Sequence, residues 1–334
     1  MITPSKYRRK VKEIAYRVLT PALADQLRNI VNKKDIFFYD RNLAKKVEEF
    51  VEQRKKHGIP VKNDIELLKY LHTLFPTINL ASNYNIQNLK NSARNRYRYL
   101  ASKGIDIKQK DVADFGAGHG ENLMVADEFD LKSAIGLDFS DDRFQQHRDK
   151  ISDKALQRIE YKTLDLVKDD IGDNSADIVL SFSAFEHFEN PAYVLDKCYR
   201  LLRKGGYLYA EFAAFNAPYA IHRKIFSGVP HIQDIFDNAV AYEFFYDFLK
   251  INPGVNRYTN EKITDENPYP EVNRWQITDY ENVFLDSTKW DVRNYTKLYN
   301  YKYNWYINIF AEYFKGKRKD DLYVDGLKFL IRKK

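Results

Sequence analysis

The chain has 334 residues, enough for a substantial core plus an extension, and 44% of them are hydrophobic and 15% aromatic. Its one cysteine, Cys198, excludes an intramolecular disulfide, and no apolar run reaches the roughly 18 residues of a membrane-spanning helix. Of 54 Lys/Arg and 47 Asp/Glu, residues 1–110 hold 24 and 10, so a basic front precedes a mildly acidic body. No apolar h-region with a cleavage site opens the sequence, which reads as cytoplasmic.

The first pattern lies in residues 5–32. Tyr7, Val11, Ile14 and Val18 recur at helical spacing among Lys6, Arg8, Arg9, Lys10, Lys12 and Arg17, and Leu23, Leu27 and Ile30 resume the stripe after Pro21. The pattern fits a helix lying on an anionic membrane surface, and it fits a lid or packing helix as well. Leu43, Val47, Phe50 and Val51 form the next stripe, ended by Gly58 and Pro60. Asp64 is placed to cap a helix carrying Ile65, Leu68, Leu71 and Leu74, and residues 85–103 form a polar helix stopped at Gly104.

From residue 111 onward strands and helices alternate. Strands are expected at 111–115, 134–138, 158–163, 176–182 and 206–213, and helices at 120–129, 141–150 and 191–203. Alternation of this kind implies a parallel sheet covered on both faces. It breaks at 214–274, an aromatic, proline-punctuated insertion too long for a plain connection. A helix at 277–285, strands at 290–299 and 322–332, and a helix at 303–314 follow. The expected fold is α/β: a doubly wound, mostly parallel seven-stranded sheet, with an α-helical N-terminal extension (1–108) and an insertion after the fifth strand of the main domain (109–334).

Chemistry concentrates at the strand ends. Val112-Ala-Asp-Phe-Gly-Ala-Gly-His-Gly120 is an apolar run ending in Asp114 and a turn with Gly116, Gly118 and Gly120; Asp138 closes the next strand. Glycines let a backbone approach a ligand closely, and a carboxylate after the second strand suits ribose hydroxyls. The G-x-G-x-x-G frame of dinucleotide folds fails, because its third glycine position is Glu121 or Leu123. The G-x-G-x-G frame, with Asp138-Phe139, Asp165-Leu166, Ser181-Phe182 and the Gly205-Gly206 turn in order, resembles the class I S-adenosylmethionine-dependent methyltransferases of the ubiquinone-biosynthesis type, over residues 90–334.

The resemblance implies S-adenosylmethionine as cofactor. Asp114, Gly116, Gly118 and Gly120 would lie at its methionine end, Asp138 on its ribose, Phe139 and Leu166 by the adenine, Asp165 on the adenine amine, and Ser181 and Phe182 beside it. A hydroxyl acceptor needs a base, and His187 in Phe185-Glu186-His187-Phe188 follows directly on the fourth strand. Glu186 and His222, the latter in the insertion, are the other candidates, with His231 behind them. No metal is expected, since His222 and His231 stand nine apart without carboxylates at ligand spacing. The expected function is O-methylation of a glycan or another polar metabolite, with no nucleic-acid partner; peripheral membrane association through 5–32, as against intramolecular or dimer packing, and homo-oligomerisation are left open. A lipid or quinone-like acceptor, RNA or protein methylation, and a silent cofactor-binding subunit are the alternatives.

Overall fold

The computed structural model describes residues 41–75, 77, 85–251 and 262–334; the basic stripe at 5–32 lies outside the described residues. Three helices precede the sheet: α1 (Arg41–Lys56), α2 (Ile65–Leu74) and α3 (Ile86–Ser102). Asp64 caps α2, accepting from the Leu67 N–H, and its carboxylate also takes Arg54 Nε at 2.6 Å and Nη2 at 2.7 Å. One residue thereby closes a helix start and ties α1 to α2.

Seven strands follow: β1 (Asp111–Phe115), β2 (Ser133–Asp138), β3 (Ile159–Thr163), β4 (Ala176–Phe182), β5 (Leu202–Phe212), β6 (Trp290–Tyr299) and β7 (Val324–Lys333). They form one sheet in the order β3-β2-β1-β4-β5-β7-β6, and β7 runs antiparallel to both neighbours. The expected doubly wound sheet is what the chain builds. All five residues of β1 are buried, as a central strand covered on both faces requires. The strand order reverses between β1 and β4, which opens a crevice at the carboxyl ends of the strands.

Alternate strand residues feed two cores. On one face Ala93, Tyr97 and Leu100 of α3 pack with Val112, Ile178, Tyr209 and Leu330. On the other, α5 (Pro191–Leu201) and α6 (Ile277–Phe284), which follow the short α4 (Asp142–Gln145), cover Ala113, Val179, Leu208 and Phe329. Cys198 is buried there. A third cluster joins α1 and α2 to the insertion and to the segment around α7 (Asn304–Ile309): Val47, Leu68, Leu71, Phe244, Phe245 and Tyr306 are wholly buried in it.

Three expected elements differ. Residues 120–129 form successive turns instead of a helix. Gly120 has a φ of +71°, and Leu123, Met124, Val125 and Ala126 are buried in one run, whereas a helix would bury only one face. The helices expected at 141–150 and 303–314 shrink to α4 and α7 flanked by 3₁₀ turns. β5 starts at Leu202, and its pairing with β4 is irregular until Tyr207 meets Ile178, so regular pairing begins where the strand was expected. Among the described residues, no helix is long and apolar enough to cross a membrane.

Candidate active site

The turn after β1 is built around Gly116. At its φ of +72° a Cβ would stand 2.4 Å from the Ala184 Cβ, so only glycine passes between β1 and the turn after β4. The Gly118 N–H donates to Asp138 Oδ2 at 2.7 Å and the Phe139 N–H to Oδ1 at 2.8 Å. These bonds fix the carboxylate at the end of β2. Burial raises its pKa, and the same N–H groups oppose the rise. Gly120 faces the Phe144 ring.

Asp114 is only 2% exposed and accepts from Asn122 Nδ2 at 2.9 Å. Burial, reinforced by the nearby Glu121 carboxylate, pushes its pKa up to about 7. Arg96 reaches this group from α3: Nη1 lies 2.9 Å from Asn122 Oδ1 and 3.2 Å from Glu121, and the guanidinium sits 3.7 Å over the Phe182 ring. Helix α3 thus closes over the glycine turn.

A cavity of about 760 Å³ lies beside it. Gly116, Asp138, Phe139, Asp165, Leu166 and His187, all singled out in the sequence, line it. Phe139 is 43% exposed, unusual for so large an apolar ring. Asp165 accepts from the Val167 N–H at 2.8 Å and pairs with Lys168 at 3.0 Å; partial burial pushes its pKa up, but these contacts outweigh it and hold the carboxyl low. Ser181 and Phe182 are placed differently from the expectation. The Ser181 hydroxyl donates to the Phe115 carbonyl at 3.0 Å, fastening β4 to β1, and Phe182 packs under Arg96 and edge-on to Tyr209. Ser183, at a φ of +50°, and Ala184 line the cavity in their place.

The insertion supplies the opposite wall with Asn267, Pro270, Val272, Asn273, Arg274 and Trp275. Asn273 clamps the 3₁₀ turn Phe185–His187. Its Nδ2 donates to the Phe185 and Phe188 carbonyls at 2.8 and 2.9 Å, and its Oδ1 accepts from the Tyr280 hydroxyl at 3.0 Å. On that turn His187 Nδ1 lies 2.6 Å from the Glu271 carbonyl, and Glu186 is 4% exposed with Oε2 lacking a hydrogen-bond partner among the described residues. His222, at a φ of +57°, brings Nε2 to 3.7 Å from Glu186 Oε1, and its ring centroid lies 4.7 Å from that of His187. The three candidate catalytic side chains therefore meet. His231 does not join them: it is fully buried, with Nδ1 2.8 Å from Asp234 and Nε2 3.0 Å from the Leu322 carbonyl. Arg96, Asn122, Glu271 and Asn273 escaped sequence reasoning; Asn273 acts on carbonyls 85 and 88 residues away, which no local spacing signals.

Residues 113–210, from β1 to β5, match the family described as Methyltransferase domain. That stretch is a methyltransferase domain, which supports a class I S-adenosylmethionine-dependent methyltransferase. No curated protein matches the sequence of this methyltransferase. An S-adenosylmethionine-dependent methyltransferase from Mesorhizobium loti resembles it at a TM-score of 0.44 and 18% identity, over 73% of this chain and 99% of that one. A second, from Methanosarcina mazei, does so at 0.41 and 13%, over 68% and 93%.

The methyltransferase's cavity suits its cofactor in chemistry. Two carboxylates, an exposed aromatic ring and a glycine backbone without Cβ line one space. S-adenosylmethionine brings a ribose diol, an exocyclic amine and a flat base to match them.

Proposed function

We propose that this methyltransferase methylates a hydroxyl of a glycan or another polar metabolite. The observation that carries the reading is the mixed wall the insertion gives the cavity: Pro270, Val272 and Trp275 stand with the polar Asn267 and Arg274 beside His187. An aromatic face beside hydrogen-bonding side chains is what a sugar needs, whereas a quinone or lipid needs an apolar wall.

In this reading Asp138 takes the ribose hydroxyls and Asp165 the adenine amine, with Phe139 and Leu166 on the base. Gly116, Gly118, Gly120 and Asp114 hold the methionine end. Ser181 and Phe182 act through the backbone, setting where Ser183 and Ala184 stand. The bound cofactor supplies a methyl carbon that is already electrophilic. The chain's part is to align the acceptor oxygen, exclude water and dispose of a proton. Residues 267–275 cover the site, and Glu186, His187 and His222 hold the acceptor hydroxyl and draw off its proton. We divide the chain into an extension (1–108) and a catalytic domain (109–334) with 214–274 as acceptor-binding insertion. Residues 5–32 are assigned to an anionic membrane surface at the cytoplasmic face, and no nucleic acid is involved.

The test is transfer of label from methyl-labelled S-adenosylmethionine to extracted glycans, lipids and RNA offered separately. Label in glycan as a base-stable methyl ether is the expected result. Label confined to the lipid or RNA fraction overturns the acceptor assignment.

A further inference from the structure

We propose that Glu186, His187 and His222 bind one divalent transition-metal ion of the zinc type at the edge of the cofactor cavity. One ring nitrogen from each imidazole and one carboxylate oxygen lie within 4.8 Å of one another. The His222 Nε2 to Glu186 Oε1 distance of 3.7 Å is too long for a hydrogen bond. Two ligands on one tetrahedral ion with bonds of about 2.0 Å stand about 3.3 Å apart, so this pair needs only a small closure and no pair in the group needs more than about 1.5 Å.

The surroundings point the same way. Glu186 is 4% exposed and its Oε2 has no hydrogen-bond partner among the described residues, although a buried carboxylate is costly unless a cation or donors meet it. His187 Nδ1 lies 2.6 Å from the Glu271 carbonyl. Donation there makes Nε2 the lone-pair nitrogen, and a metal-bound imidazole almost always has such an outer partner. Arg223, next to His222 in sequence, is engaged elsewhere: Nη2 lies 2.7 Å from the Tyr246 hydroxyl and 3.5 Å from Glu271. Two imidazoles and one carboxylate favour zinc and its neighbours over magnesium or calcium, which prefer oxygen ligands.

His187 lines the cavity, so the ion would border it; there it would hold the acceptor hydroxyl and make it more acidic in place of direct proton removal by the three side chains, with the proton passing to water. That role rests on the hydroxyl reading proposed above; the binding itself does not.

The full chain, stripped with EDTA, is titrated with Zn²⁺ by calorimetry and with Co²⁺ by visible absorption. A single tight equivalent of Zn²⁺, d–d bands from Co²⁺ that Zn²⁺ abolishes, and no heat from Mg²⁺ are expected. Glu186→Gln and His222→Gln should each weaken Zn²⁺ binding by at least ~100-fold, beyond the 10–100-fold typical of losing an outer partner. His222 is 30% exposed on a loop, so its variant decides the matter should Glu186→Gln fail to fold. His147→Gln controls for the His119–His147 pair, whose rings lie 5.2 Å apart, and should leave binding unchanged. No binding by the wild type, undiminished binding by His222→Gln, or loss in His147→Gln alone overturns the site. Hydroxyl methylation that persists in verified metal-free protein overturns the ion's role and leaves the acceptor reading standing.

Discussion

Asp114 carries a cost at neutral pH that the fold accepts. Its pKa rises from 3.8 to about 7, chiefly through burial. For a carboxyl whose folded pKa exceeds its unfolded one, stability is full below the unfolded value and is lost as pH rises through the folded value. The window here runs from about 4 to about 7. Asp138, also pushed up by burial, acts in the same direction. Asn at 114 keeps the shape without the charge. Asp114→Asn should therefore match the wild type in urea unfolding at pH 4 and exceed it at pH 8. The upper bound is about 4 kcal/mol at 1.4 kcal/mol per unit, and relaxation of the site brings it lower. Equal stability at both pH values would show that the buried carboxylate is not penalised. A cationic group of the cofactor beside Asp114 would offset the penalty, which gives a reason to retain the acid.

At the scale of elements, the turn Phe185–His187 has one bond of its own, from the His187 N–H to the Ala184 carbonyl at 2.8 Å, and is otherwise held from outside. The Asn273 side chain reaches the Phe185 and Phe188 carbonyls, the Trp275 N–H and the Tyr280 hydroxyl, and its own N–H donates to the Glu186 carbonyl at 2.8 Å. Asn273→Ala removes the side-chain bonds at roughly 1 kcal/mol each and frees the turn that carries Glu186 and His187. Methyl transfer should fall at least tenfold. Binding of S-adenosylhomocysteine should stay within about threefold, because Asp138 and its backbone donors are untouched. A parallel loss of both would mean that the insertion supports the cofactor end as well. The strands and the glycine turn were legible because a buried strand must be apolar along its length and a ligand turn must lack Cβ atoms. The turns at 120–129 were not: Leu123 to Ala126 read as a hydrophobic helix until tertiary burial of all four showed otherwise. His222 was weighed with its neighbour His231 at a spacing of nine, yet its partners stand 35 and 36 residues earlier, across a fold that sequence periodicity cannot trace.

For the whole molecule, a basic segment precedes in sequence the residues that line the cofactor cavity. Residues 1–32 carry seven Lys/Arg against two acids, while the cavity is lined by residues between Gly116 and Trp275. The two functions assigned to the chain are therefore separable. Deleting residues 1–32 should leave S-adenosylhomocysteine affinity unchanged in calorimetry. The same deletion should abolish binding to vesicles containing anionic phospholipid. Full-length protein should bind those vesicles at low salt and release them as the screening length falls from about 30 Å at 0.01 M salt to about 8 Å at 0.15 M. Each cation near such a surface contributes about 1 kcal/mol, so a net excess of five is enough for attachment that salt can reverse. Full-length protein that ignores anionic vesicles at 0.01 M salt would remove the membrane assignment. The basic segment would then have to act within the chain or between copies, and a shift in sedimentation coefficient on deletion would tell which.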